Sequence, residues 1–258
     1  MSNKCNRKKA NTSRKTAVDS IMVFSYSRLL QVFAFILVVT DIFSLFGCRV
    51  VCSNICFYRS IHVQFGVGKA TAFRAVRRIT YALHCLAPRF IQWPKGDVLN
   101  RTIEEFLKAR GFPNVIGALD GSYIKIRAPK EDAASYMCRK QFHAIHLQAV
   151  CNAKSLFTHC YAGHVGSVHA RVFRNSALAH YIEVPNEYFP FDTHIVADAA
   201  YAIHPHVMVP FRDNGHLTVL QTNFNCCLSS TRMAIERAYG LLKIRFRILL
   251  DCLPLTDI

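Results

Sequence analysis

Acidic residues are scarce in this chain. Its 258 residues include 16 Asp and Glu against 32 Lys and Arg, which gives a formal net charge of +16 and a pI near 9.6. A deficit of this size makes a merely soluble basic protein the weaker interpretation. It favours polyanionic partners such as DNA, RNA or anionic lipid.

Paired cysteine motifs are absent as well. The eleven cysteines are an odd number, and no two of them form a C-x-x-C pair. This usage argues against a disulfide scaffold and suits a reducing compartment with free, mostly buried thiols. Three of them recur every four residues, at Cys48, Cys52 and Cys56. Three thiols without a fourth ligand make a poor structural zinc site.

Apolar residues, in contrast, are plentiful. A hydrophobic content of 52% is enough for a core, which excludes wholesale disorder. A chain of this length has room for one catalytic domain and a small accessory domain.

The N-terminal part of the chain falls into two segments of opposite composition. Residues 1–20 are polar and basic, and we expect a disordered arm that at most contributes to nuclear targeting or DNA contact. Residues 21–56 form an apolar helical leader whose stretch LLQVFAFILVVTDIFSLF suggests a membrane span or signal anchor. No small-residue cleavage site of the A-x-A kind accompanies it. Asp41 would cost about 2.5–3.5 kcal/mol in a bilayer, so we favour a buried soluble helix and keep the membrane span as the alternative.

Residues 57–94 have the pattern of a helix-turn-helix. A short helix is followed by a turn containing Gly66 and Gly68, and a longer helix begins near Lys69. No acid lies between Arg59 and Lys95. A plain helical hairpin with a solvated basic face is the alternative. If the segment binds DNA, the residues that face phosphates or base edges are Lys69, Thr71, Arg74 and Arg78. Residues 95–114 are expected to be a linker and an amphipathic helix over 98–110.

Three carboxylates stand in separate and differently built elements further along the chain. Asp120 and Asp198 each follow an apolar run that reads as a buried strand, and Glu236 lies on a long amphipathic helix. Such oxygen ligands suit divalent cations, and a cation site on a basic surface suits an enzyme acting on nucleic acid. For Asp120, a hairpin turn at Asp120-Gly121 is an open alternative. Asp198 alone could be an ordinary turn former after a strand.

The helix that carries Glu236 has two distinct faces. A core stripe at spacings of four and three residues consists of Ile235, Tyr239, Leu242, Phe246 and Leu249. A second face consists of Arg232, Glu236, Gly240, Lys243 and Arg247. Arg232 and Glu236 could be an i,i+4 ion pair worth a few tenths of a kcal/mol. Equally, the acid could hold metal while the cations hold phosphates, with Gly240 allowing close approach by backbone or ligand.

The remaining pattern predicts an α/β domain. Strands are expected at 144–152 and 156–164, a helix at about 172–182, and a short buried strand at 195–197 that ends in Asp198. His143 and His146 are interpreted as alternating strand residues rather than zinc ligands.

From Phe57 to Leu250 several long stretches, in order, resemble one family. They are FGVGKATAFRAVRRIT with the trailing LAPRFIQWP, VIGALDGSYIKI, YMCRKQFHAIHLQAVCN, GSVHARVFRNSAL, IVADAAYAIHPHVMVP and RMAIERAYGLLKIRFRIL. The chain resembles the PIF/Harbinger group of DDE-superfamily transposases and the Harbinger transposase-derived nucleases. The resemblance implies an RNase H-like mixed sheet flanked by helices over residues 115–258, preceded by a small helix-turn-helix domain.

The same resemblance implies a metal-dependent DNA endonuclease that hydrolyses or transfers phosphodiester bonds. It implies that Asp120, Asp198 and Glu236 bind two Mg²⁺ or Mn²⁺ ions. The cations that would neutralise phosphates nearby are Arg139, Lys140, Lys243 and Arg247. DNA is the expected partner, together with a protein partner or a second copy of the chain. A nuclear location with a cytoplasmic pool follows.

The chain departs from the family pattern at three points. An Asp expected between His169 and Ala170 is deleted, and the apolar run before Phe57 does not resemble the helical region expected there. The chain stops at Ile258, shortly after the catalytic helix, so we expect the domain to be truncated at its C-terminus. These departures keep open a rival function, that of a catalytically inactive, transposase-derived DNA-binding protein.

Overall fold

The computed structural model describes residues 62–63, 66–165 and 169–253. The basic arm and the apolar leader predicted before residue 57 lie outside the described residues. The helices are α1 (Lys69–Phe90), α2 (Gly96–Arg110), α3 (His169–Arg174), α4 (Ala177–Glu183), α5 (Pro185–Tyr188) and α6 (Val219–Arg245). The strands are β1 (Val115–Lys125), β2 (Ala144–Cys151), β3 (Phe157–Val165), β4 (His194–Val196) and β5 (Val207–Met208). Two short 3₁₀ helices span Ala133–Tyr136 and Arg247–Leu250.

The five strands form one mixed sheet in the order β3-β2-β1-β4-β5. The first three strands pair antiparallel, whereas β4 pairs parallel with β1 and with β5. Antiparallel neighbours need only short turns, while the parallel strand β4 returns through the helices α3 to α5. The predicted RNase H-like α/β architecture, a mixed sheet flanked by helices, is confirmed.

The sheet has a hydrophobic layer on each face, because both faces are covered by helices. Under α6, the apolar layer includes Ala118, Leu147 and Ile235. On the opposite face, it includes Leu119, Val150 and Ile195 together with the aromatic residue Trp93. The central strands are therefore buried on both sides, and all eight residues of β2 are buried.

The two helices before the sheet begin and end close to their predicted bounds. α1 begins at Lys69 as predicted, continues through Pro88 and ends at Phe90. α2 ends where Gly111 adopts a left-handed conformation with φ of 71°. Since Phe106 of α2 is buried against the sheet, the segment predicted as linker and helix contributes to the core.

Helix α6 begins with a capping box. The side chain of Thr218 accepts a hydrogen bond from the Gln221 backbone, and the Gln221 side chain accepts one from the Thr218 backbone. The predicted core stripe from Ile235 to Leu249 is buried throughout. The helix itself ends at Arg245, however, so the last members of the stripe, Phe246 and Leu249, pack from the following 3₁₀ turn.

Two predictions about local structure are wrong. The hairpin turn at Asp120-Gly121 does not form, because β1 runs through both residues and pairs with β2 from Ala118 to Lys125. The single helix predicted over 172–182 is two helices, α3 and α4. It is interrupted because Ser176 adopts an extended conformation and its hydroxyl donates to the Phe173 carbonyl at 2.7 Å.

Among the described residues, no helix combines the length and the apolar character that a membrane span requires. The leader at residues 21–56, for which a span was considered, lies outside these residues.

Candidate active site

Asp120 lies in the middle of β1, at the point where this strand loses one of its neighbours. β4 pairs with β1 only as far as the pair Ala118–Val196, while β2 continues beside β1 to Lys125. From Asp120 onward, one edge of the central strand is therefore no longer paired with β4. The strand residues change at the same point from fully buried to partly exposed. The apolar run does end at Asp120, but the strand does not.

Asp198 follows the neighbouring strand β4 by two residues. The last pair between β1 and β4 is Ala118–Val196, so Asp120 and Asp198 each come two residues after this pair on parallel segments. The pKa of Tyr201 indicates that Asp120 and Asp198 both lie near this residue. Burial raises the pKa of Tyr201 well above its ordinary value, and the negative charges of Asp120 and then Asp198 raise it further. The predicted short buried strand is confirmed as β4, but it ends at Val196, two residues before Asp198.

Glu236 approaches the site from α6 and is joined to Asp120 by a guanidinium group. Arg232 Nη2 lies 2.6 Å from Glu236 Oε1, and Arg232 Nη1 lies 3.3 Å from Asp120 Oδ2. The predicted i,i+4 pair of Arg232 and Glu236 is thus present, and Arg232 also reaches the strand carboxylate. The alternative, in which Glu236 holds metal while the cations hold phosphates, stays a prediction. The exposed fractions of the side chains are 21% for Arg232, 18% for Asp120 and 50% for Glu236.

Two buried hydroxyl groups hold α6 against the strands near Asp120. The Tyr239 hydroxyl lies 2.9 Å from the backbone carbonyl of Asp120 and 3.2 Å from that of Leu147. The Ser155 hydroxyl donates to the carbonyl of Ala234 at 2.9 Å. Since Ala234 and Tyr239 flank Glu236 in the sequence, these bonds fix the height of Glu236 over the sheet. Burial raises the pKa of Tyr239 well above its ordinary value, which keeps the hydroxyl protonated.

The surface around Glu236 is open on one side. A Cβ placed on Gly240, one turn further along α6, would meet no atom within 4 Å. The predicted close approach of protein backbone to Gly240 is therefore wrong for the described residues. The other alternative, approach by a ligand at Gly240, stays a prediction.

A basic region adjoins the carboxylates along β1. Lys243 donates to the Ser122 hydroxyl at 2.8 Å, and Ser122 lies on the same face of the strand as Asp120, two residues further on. Burial lowers the pKa of Lys243, and the positive charge of Lys140 lowers it further, which places these two cations near each other. Arg139 is close enough to Tyr123 to oppose the upward shift of its pKa.

The predicted DNA-contacting cations thus divide into two groups. Lys140 and Lys243 lie near each other at the end of β1 beyond the carboxylates, and Arg139 lies near Tyr123 of the same strand. Arg247 is exposed in the 3₁₀ helix after α6. The second group lies on the first turns of α1 and is exposed throughout, namely Lys69, Thr71, Arg74 and Arg78. The C-terminal end of α1 packs through Leu86 and Ala87 against the core of the sheet.

The chemistry of the three carboxylates fits a hard divalent cation, since all the donors are oxygen atoms. As they stand, however, no three His, Cys, Asp or Glu side chains of the described residues are assembled to hold a metal ion. The cation between Asp120 and Glu236 is the guanidinium of Arg232. One oxygen of Asp198 accepts the Ala200 backbone N–H at 2.8 Å. The point at which the family resemblance led us to expect a further Asp, between His169 and Ala170, falls at the start of α3.

Sequence reasoning did not identify three groups that shape this site. Tyr239 was interpreted only as a core residue, although its hydroxyl contacts the backbone of Asp120. Neither Ser122 nor Tyr201 was singled out. Ser122 carried a usable signal, because strand alternation places it on the face of Asp120. Tyr201 carried none, because it reaches the site through a loop.

The strand order, the mixed pairing and the carboxylates on adjacent strands and the covering helix together define the class: an RNase H-like domain with an acidic site. Residues 119–257 match the family described as DDE superfamily endonuclease, and the chain belongs to this family. The Harbinger-type resemblance carried by the sequence motifs is confirmed.

The curated relatives agree with this placement. The chain is 28% identical over 188 residues to "Putative nuclease HARBI1" of Rattus norvegicus and 27% identical over 188 residues to the protein of the same name of Homo sapiens. Each match covers 71% of this chain and 52% of the relative. "Protein ALP1-like" of Arabidopsis thaliana is 27% identical over 207 residues, which are 75% of this chain and 50% of that protein. The chain thus spans about half the length of the curated relatives it matches, and no solved structure gives a significant match.

Proposed function

We propose that this protein is a metal-dependent DNA endonuclease of the DDE type. The observation that carries the proposal is the register of β1 and β4. Asp120 and Asp198 each come two residues after the last pair of these strands, and α6 adds Glu236 through the Arg232 bridge. Family membership supports the nuclease class. DNA as the substrate agrees with the excess of 32 Lys and Arg over 16 Asp and Glu.

Asp120, Asp198 and Glu236 are the residues that would hold Mg²⁺ or Mn²⁺. Such ions, when bound, activate a water or a 3′-hydroxyl for in-line attack on a phosphodiester and stabilise the leaving oxygen. In this proposal the three carboxylates act only as metal ligands, and no side chain of the protein forms a covalent intermediate. Tyr239 and Ser155 position α6, because their hydroxyls bond to backbone carbonyls around the site.

The basic region next to the carboxylates would orient the DNA backbone. Lys243 is half-buried and held by Ser122, so its ammonium group is fixed at a defined place on the β1 face. Lys140 is exposed and lies near Lys243, and the exposed Arg139 precedes it in the chain. We assign these cations to phosphate contacts, and the exposed first turns of α1 to a second DNA contact through Lys69 and Arg74. A nuclear location belongs to the same proposal.

Cleavage of supercoiled plasmid by the purified chain in Mg²⁺ or Mn²⁺ tests this function. We expect nicking that requires either ion and is lost in Glu236→Gln. Glu104→Gln is the matched control, because Glu104 is an exposed acid on α2 and the change removes the same charge. Equal cleavage by Glu236→Gln and the wild type would contradict the proposal.

The second candidate function is DNA binding without cleavage. One observation favours it, namely the Arg232 guanidinium that already pairs with two of the three carboxylates. The family resemblance also led us to expect an Asp between His169 and Ala170, where this sequence has none. For this function we expect salt-sensitive DNA binding, with no nicking in either ion. A filter-binding salt titration run beside the plasmid assay separates the two functions.

A further inference from the structure

Arg232 is the cation at the centre of the candidate site, and the proposed reaction gives it no role. Its two terminal nitrogens go to two different carboxylates, Asp120 on β1 and Glu236 on α6. A guanidinium fork can serve two acceptors in this way, whereas an ammonium group is a single point charge. Arg232 therefore links the strand to the helix as well as neutralising the acids.

The oxygen atoms that Arg232 contacts belong to two of the three proposed metal ligands. Glu236 Oε1 and Asp120 Oδ2 are both engaged by the fork. The other oxygen of Asp120 accepts the Gly121 backbone N–H at 2.7 Å. Both oxygen atoms of Asp120 thus have a donor already, which agrees with the lack of an assembled metal site among the described residues.

The helix makes this pairing independent of any ligand. Residues four apart on an α-helix lie on the same face, one turn from each other, so Arg232 reaches Glu236 without any change of backbone. Asp120 and Glu236 would otherwise bring two negative charges to one place with no cation between them. The guanidinium removes that repulsion while the site is free of metal.

We propose that Arg232 is a built-in counter-cation of the carboxylate site, which neutralises Asp120 and Glu236 in the absence of metal and leaves Glu236 when a divalent cation binds. This inference rests on the proposed function, because it requires the carboxylates to bind metal. Arg232 then lowers the apparent affinity for the metal, since the bound ion must displace a tethered charge. It also keeps the site ordered before the metal arrives.

Calorimetric titration of the chelator-treated full chain with Mn²⁺ tests the inference. We expect Arg232→Gln to bind Mn²⁺ about ten-fold more tightly than the wild type, because one unit charge a few ångströms from the ion is removed. Arg232→Lys should fall between the two, because it keeps the charge and loses the fork. Arg237→Gln is the matched control, since Arg237 is exposed on the same helix beside Glu236, and we expect a change within about two-fold.

Thermal unfolding in the presence of chelator gives a second measurement, because it reports what Arg232 contributes to stability when no metal is bound. Without metal, Arg232→Gln should melt at a lower temperature than the wild type. Added Mn²⁺ should raise the melting temperature of the variant more than that of the wild type. If this variant does not fold, Arg232→Lys answers the question, because equal Mn²⁺ affinity of this variant and the wild type would overturn the proposal.

Failure of the inference and failure of the proposed function give different results. Loss of Mn²⁺ binding in Glu236→Gln, with unchanged or weaker binding in Arg232→Gln, would leave the metal site standing and refute the counter-cation. Binding by Arg232→Gln but not by the wild type would support the counter-cation, because the guanidinium then closes the site. Absence of Mn²⁺ binding in the wild type and in both Arg232 variants would refute the metal site and the counter-cation together.

Discussion

The two faces of the sheet are covered by helices but differ in what lies beneath the cover. Under α6, the apolar layer is interrupted after Ala118 by Asp120 and Ser122, which contact Arg232 and Lys243, and it resumes at Ile124. The opposite face is closed by an aromatic cluster in which Trp93 contacts Tyr181 and Phe189 edge-on. The Trp93 ring also donates to the Tyr188 carbonyl at 2.8 Å.

The difference follows from where the neighbouring strand ends. Charged groups appear under α6 at the level where β4 stops pairing with β1, since water and ligands can reach the strand there. On the aromatic face, the segment before α2 is tied down by the Lys95–Glu187 ion pair at 2.7 Å. Changes to the polar groups under α6, namely Asp120, Ser122 and their partners, should therefore alter chemistry more than stability, whereas changes on the aromatic face should alter stability alone.

The largest expected effect comes from Asp120→Asn. We expect plasmid cleavage to fall by at least about a thousand-fold, comparable to the loss of an essential group in other active sites. The free energy of unfolding should fall by only about 1–3 kcal/mol, because the pair with Arg232 is mostly buried but the amide keeps part of the hydrogen bonding. Cleavage rates and urea denaturation of the same preparation measure both quantities.

A carboxylate-to-amide change on the other face provides the control for Asp120→Asn. Glu187→Gln removes one partner of an ion pair whose side chains are both about half exposed. Its cleavage rate should equal that of the wild type. A similar loss of cleavage in the two variants would show that the faces do not divide chemistry from stability.

The next effect concerns the aromatic face and depends on pH. Burial lowers the pKa of His159 from its ordinary value of 6.5 to about 4. As pH falls below 6.5, the unfolded chain takes up this proton before the folded chain does. The stability contributed by the neutral imidazole is therefore fully present above pH 6.5 and is lost between 6.5 and about 4. The loss is on the order of 3 kcal/mol.

Urea denaturation of the wild type and His159→Phe across this pH range isolates the effect of His159. The carboxylates titrate in both proteins, so the difference between the two curves reports the histidine. The wild type should lose more stability than the variant as the pH falls. His180→Gln is the control, because this histidine is exposed on α4, and it should follow the wild type. Parallel curves for the wild type and His159→Phe would contradict the assignment.

A smaller effect is expected from Gly117→Ala in β1. A Cβ at this position would collide with the side chain of Val150 and crowd Ile195, both in the layer on the aromatic face. Overpacking of this kind costs about 1–3 kcal/mol. We expect that loss in the free energy of unfolding, measured by urea denaturation. An unchanged denaturation midpoint would show that β1 shifts easily at Gly117.

The sequence predicted much of this fold because its signals were local or repeated. The core stripe of α6 follows helical spacing, and β2 and β3 are apolar runs of ordinary length. The Asp120-Gly121 pair misled because its local preference is for a turn. Eight successive pairs with β2, from Ala118 to Lys125, override that preference.

The candidate site was predictable only in part, because some of its contacts join residues close in sequence and others join residues far apart. The Arg232–Glu236 pair could be read from a spacing of four residues. The contact from Arg232 to Asp120 spans 112 residues of sequence, and that from Lys243 to Ser122 spans 121. The motif resemblance identified the three carboxylates. The position of the Arg232 guanidinium between two of them, however, depends on how α6 packs on the sheet. No local pattern encodes that placement.

The smallest expected effect on stability is a gain, in Gly240→Ala under α6. The added Cβ meets no atom within 4 Å, and alanine is favoured over glycine in a helix by about 0.8–1 kcal/mol. The midpoint of urea denaturation should therefore rise, the opposite of Gly117→Ala. If DNA approaches the helix here to reach Glu236, the same methyl group should weaken plasmid cleavage or DNA binding. A more stable variant with undiminished cleavage would place the DNA path away from Gly240, and would leave Lys243 and Lys140 as the cations that direct the substrate.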